Sequence, residues 1–100
     1  MATSEGNQGK DKEFWQLADS FIALANEHCN SFSNKKVSAA FLYAAARFNA
    51  FVVAVNSGGK EQLAVEKDNA VAYFMEEYER MLRENIDDHI ENFERYSSRN

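Results

Sequence analysis

The chain has 100 residues, 45% hydrophobic and 13% aromatic, with four glycines, one cysteine and no proline. That is enough for one small domain with a core, and the shortage of breakers favours long helices over a sandwich of short strands. With a formal charge of −5 and no cluster of Lys and Arg to release counterions from a phosphate backbone, nucleic acid is not an expected partner.

Charge is unevenly placed. Residues 1–60 carry six bases against five acids, whereas residues 61–96 carry eleven acids against four bases. The lone Cys29 has no internal disulfide partner, which fits a reducing compartment. The opening "MATSEGNQGKDKE" lacks the apolar run of a secretory leader. Residues 37–55 are about long enough to span a bilayer, but Arg47, Asn49 and Ser38 lie inside the stretch and much of the rest is alanine. The expectation is a buried helix of a soluble, cytoplasmic protein with no membrane partner.

In chain order, residues 1–10 are small and polar and read as a disordered tail, leaving residues 11–100 as a single helical domain. From Asp11 an amphipathic rhythm begins. At 100° per residue Phe14, Phe21, Ala25 and Phe32 fall on one line, opposite Glu13, Asp19, Asn26 and Glu27, which predicts a helix of about five turns ending between Ser31 and Asn34. After the polar "SNKK", a second helix is predicted from Lys36 or Val37, with its main stripe through Val37, Phe41, Ala44, Phe48 and Phe51. Leu42, Ala46 and Val53 make its far side apolar too, the pattern of a helix buried on all sides. "NSGG", residues 56–59, supplies the stop, with a glycine able to take the left-handed C-cap conformation.

A third helix is predicted from Lys60 to Tyr96, its stripe running through Val71, Tyr78, Leu82, Ile86, Ile90 and Phe93. Outward pairs spaced i,i+4 are expected at Glu76–Arg80, Glu79–Arg83, Arg80–Glu84 and Glu91–Arg95. The fold class that follows is all-α, an up-down-up three-helix bundle with a long C-terminal helix. That helix overhangs the other two. Either it breaks near residues 85–88 and folds back as a fourth helix, or the overhang packs on a second copy of the chain; the homodimer is the favoured solution.

No catalytic constellation is evident. His28 borders the first apolar face and His89 lies in the third stripe, but neither follows a Glu by three residues, so the carboxylate-bridged metal pattern of helical bundles is absent. The carboxylates of "ENIDDHIENFE" fall mostly on a solvated face, suited to a basic partner. No metal, cofactor or catalytic residue is expected. Arg47 is the one formal charge between Lys36 and Lys60 and shares a small-residue seam with Tyr43. Desolvated in a bundle it needs a carboxylate, Asp88 being the leading choice. The alternative is an anionic ligand held in a cleft by Arg47 and Tyr43, with Asn49, Asp88 and His89 as further candidates.

The segments "LADSFIALAN" (17–26), "VSAAFLYAAARFNAFV" (37–52) and "YERMLRENIDDHIENF" (78–93) resemble a family of short proteobacterial proteins catalogued as a domain of unknown function, number 3144. The resemblance implies a small bacterial, cytoplasmic, all-helical protein, and it brings no catalytic or binding residues with it. The reading reached is a non-enzymatic interaction or regulatory module acting as a homodimer.

Overall fold

A computed structural model describes residues 11–97, so the expectation of a tail over residues 1–10 lies outside the described residues. Of the described residues 87% are helical and none is in a strand. The helices are α1 (Lys12–His28), α2 (Asn34–Val55), α3 (Lys60–Glu91) and the short α4 (Phe93–Ser97). By connectivity the chain divides into two units, Met1–Ala50 with α1 and most of α2, and Phe51–Asn100 with the end of α2, α3 and α4.

In the first unit, Asp11 starts α1. Its carboxylate accepts the backbone N–H of Phe14 at 3.0 Å, which satisfies one of the four orphan donors of a helix start, while its carbonyl accepts the N–H of Trp15 in the first intrahelical bond. The helix ends earlier than the apolar rhythm suggested. At the corner the N–H groups of Ser31 and Phe32 both donate to the His28 carbonyl at 3.0 Å, tightening the chain without a glycine. Ser33 then opens α2 two residues before the predicted start, its hydroxyl accepting Lys36 N–H at 3.1 Å and its carbonyl accepting Val37 N–H. Within this unit α1 and α2 diverge from the corner, with no Cα of one within 8 Å of a Cα of the other.

In the second unit two side chains end α2. Asn56 donates its amide to the Val52 carbonyl at 3.0 Å, and Ser57 donates its hydroxyl to that of Ala54 at 2.8 Å. The glycine with positive φ is therefore not a C-cap of α2, as the sequence suggested. It is Gly59, at φ 139° and ψ −178°, and it is the N-cap of α3, its carbonyl accepting Leu63 N–H at 2.8 Å. Along α3, Arg80 bridges Glu77 at 2.7 Å and Glu84 at 3.4 Å, and Arg83 meets Glu79 at 2.8 Å. Glu77, three residues away, replaces the expected Glu76 because i,i+3 neighbours also share a face. Its hydrogen bond and charge hold the Arg80 guanidinium above its ordinary range.

A fourth helix does exist, but the break falls at Asn92 rather than at residues 85–88. Both asparagines return their side chains to their own helix, Asn85 to the Met81 carbonyl at 2.8 Å and Asn92 to that of Asp88 at 3.1 Å. Only Asn92 leaves helical geometry, at φ −115° and ψ 31°. There its amide also reaches the Asp88 carboxylate at 3.0 Å, an alternative to continuing the ladder.

The packing expected of α2 is also corrected. None of the residues in α1, α2 or α3 is buried, and 21 large apolar side chains are exposed among the described residues. A helix apolar all round is buried only where something surrounds it. Cys29, the lone thiol, is exposed just past the last turn of α1.

Gly59 and Gly58 provide a paired test. Alanine at Gly59 must hold a positive φ and is expected to cost about 1–3 kcal/mol. At Gly58 the added methyl group meets only Gln62 at ordinary van der Waals distance, 3.8 Å, so no comparable loss is expected. Urea denaturation of Gly59→Ala beside Gly58→Ala measures the difference.

Candidate functional site: an apolar groove with a cationic edge

The divergence of α1 and α2 leaves a groove of about 610 Å³ in the first unit. Phe21, Leu24, Ala25 and His28 line it from α1, Phe32 from the corner, and Lys36, Val37, Ala40, Phe41 and Ala44 from α2. These positions recur every three or four residues on each helix, so one face of each is turned to the opening. Ala40 and Ala44 keep the α2 wall low around Phe41, and Phe21 and Phe32 stand on the opposite wall and at the corner. Phe21 is 56% exposed and Phe41 38%.

The polar side chains in the lining, His28 and Lys36, gather at the corner end. The Lys36 ammonium lies 5.9 Å from the centre of the Phe32 ring, within cation–π reach. The ring of His28 stands 6.5 Å from the same phenyl group.

Arg47 extends this edge. Eleven residues beyond Lys36 and seven beyond Ala40, it returns to within about 20° of each around the helix, about 16 Å further along α2 from Lys36. Tyr43 lies one turn before it on the same line, so α2 does bring Tyr43 and Arg47 together. Asn49 does not join them: two residues on, it lies about 200° round the helix and is half-buried. Arg47 is exposed, and none of the ion pairs among the described residues includes it.

Asp88 and His89 belong to the second unit, as neighbours in the last turn of α3. Asp88 there accepts the Asn92 amide. Among the described residues no three His, Cys, Asp or Glu side chains gather into a group able to hold a metal ion. The groove itself was not legible in the sequence. The signal that could have found it is the five-residue corner, which allows two apolar faces to diverge instead of closing on each other.

Comparison with the curated proteins gives no match. Among solved structures the chain is similar to one described as "NMR structure of the protein NB7890A from Shewanella sp". The two share 34% identity over 90% of this chain and 96% of that one, with a TM-score of 0.72. A family model, "Protein of unknown function (DUF3144)", matches residues 14–90. By that match, over most of its length, the chain belongs to the DUF3144 family.

Proposed function

We propose that this chain is a non-enzymatic interaction or regulatory module that works as a homodimer in the bacterial cytoplasm. The observation that carries the reading is the absence of any buried residue in α1, α2 or α3, together with continuous apolar stripes on each. Ten of the exposed large side chains are aromatic. At about 100 Å² still accessible on each, they alone offer about 1,000 Å² per chain, or about 2,000 Å² between two copies. That lies at the lower edge of obligate dimer interfaces. Apolar surface on this scale marks an interaction face rather than ordinary surface. The acidity of residues 61–96 suits a basic protein as a further partner and opposes nucleic acid.

A membrane competes for the same surface. Helix α2 is long and apolar enough to cross one, with a mean hydropathy of 1.5 over its most apolar 18 residues. Against this, Arg47 near its centre carries an insertion cost of about 2.5–3.5 kcal/mol. Burying α2 alone would also leave the stripes of α1 and α3 in water. Association of copies covers all three.

The second reading is an anionic-ligand site at Arg47 and Tyr43, favoured by the exposure of Arg47 without an ion pair beside an apolar groove. Arg47→Met keeps the aliphatic volume and removes the charge. On the ligand reading it abolishes binding of a small carboxylate or phosphate added as probe and leaves the fold intact, as read by chemical-shift perturbation. The primary reading expects no such binding in either protein.

Ile90, 67% exposed on the α3 stripe, tests the dimer directly. Ile90→Glu is expected to weaken self-association by at least about 2 kcal/mol, the cost of desolvating an unpaired polar group in an interface. Sedimentation velocity at micromolar concentration measures it. A wild-type protein that sediments as a monomer, with an Ile90→Glu variant of equal stability, contradicts the reading.

A further inference from the structure

We propose that the groove between α1 and α2 is filled by the C-terminal part of α3, residues 82–90, from a second copy of the chain, reciprocally in both directions. This rests on the homodimer reading and names which surfaces meet. The first observation is fit. The α2 wall runs from Lys36 to Ala44, about 12 Å or just over two turns. Residues 82–90 present an apolar run of that length, with Leu82, Ile86 and Ile90 each one turn apart and all three exposed.

The second observation is charge. From residue 28 to residue 59 the chain holds Lys35, Lys36 and Arg47 and no acid; from 84 to 94 it holds Glu84, Asp87, Asp88, Glu91 and Glu94 and no Lys or Arg. Lys36 lines one edge of the groove, and Arg47 follows on the same line of α2 three residues beyond the last lining position, Ala44. A helix seated there through Leu82, Ile86 and Ile90 keeps Asp87 and Glu91 on the flank of that stripe, about 100° and 140° round from its middle, where they face this edge across its solvated rim and set register and exclude wrong partners more than they add affinity.

The connector decides whose α3 this is. Residues 56–59 are all that joins α2 to α3. If α3 of the same chain ran back antiparallel along α2, equal rise per residue would set residues 71–79 opposite residues 36–44. Residues 82–90 would then lie past the start of α2, a register that favours another copy as their source.

A charge exchange tests the assignment. One variant carries Lys36→Glu and Arg47→Glu; the other carries Asp87→Lys and Glu91→Lys. Each alone sets like charges together in both reciprocal contacts and is expected to self-associate at least about tenfold more weakly than wild type. Mixed one to one, both contacts are complementary again, so a heterodimer of near wild-type affinity forms, identified by native mass spectrometry and sedimentation velocity. In the wild-type protein, an equal mixture of ¹³C-labelled and unlabelled chains is expected to give isotope-filtered NOEs from the Ile86 and Ile90 methyl groups to Leu24 and Phe41. The proposal is overturned if the mixture gives no heterodimer, or if those NOEs arise only within one chain, from its own α3. It is also overturned if they are missing because a co-purifying apolar molecule occupies the groove. A wild-type protein that is a monomer removes the homodimer reading itself, whereas a dimer without these contacts removes only this assignment.

Discussion

Everything in this structure depends on where the apolar stripes of its helices are removed from water. Fully burying a large aliphatic or aromatic side chain contributes about 1.5–3 kcal/mol. Here 21 such side chains are exposed and none of the three long helices contains a buried residue. The remaining devices are small by comparison. Caps at Asp11 and Ser33 contribute about 1 kcal/mol each. The ion pairs of Arg80 and Arg83 are solvent-exposed and contribute little. In proteins most helical stability comes from packing an amphipathic face rather than from local propensity. On the proposed reading these stripes are covered by another polypeptide, most economically a second copy of the chain.

The same constraint gives a meaning to the separation of charge. A bare apolar face binds many things, and specificity needs a repulsive element against wrong partners. The acid-free run from residue 28 to residue 59 beside the groove and the base-free run from 84 to 94 supply that element. Arg47, odd in isolation, is the far end of a cationic edge that begins at Lys36. In the proposed dimer its carboxylate partner comes from the α3 of the other copy.

Local features of the fold were legible in the sequence because local chemistry makes them. Asp11, the 3.6-residue rhythm of Phe14 and Phe21, the "NSGG" stop and the absence of proline together place three helices with ends correct to within a few residues. The errors have physical causes. Asn85 and Asn92 are the same residue type making the same back-bond to their own helix, so composition alone does not say which of them ends it. The role of Gly59 went unread because a positive φ suits either side of a short connector, and Asn56 and Ser57 had already closed α2 with their side chains. The burial of α2 was least legible. An all-round apolar helix says that it must be covered, and nothing in its own residues says by which chain. Of the candidate site, the shared turn of Tyr43 and Arg47 followed from spacing. The groove did not, because it depends on the angle at the Cys29–Ser33 corner.

The central claim is that folding and association are one process. Thermal unfolding followed by circular dichroism, from about 1 µM to about 200 µM chain, tests it most directly, because mass action stabilises a dimer as concentration rises. The account predicts one cooperative transition whose midpoint climbs by several degrees across that range. A midpoint independent of concentration, in a protein that unfolds cooperatively, would contradict it.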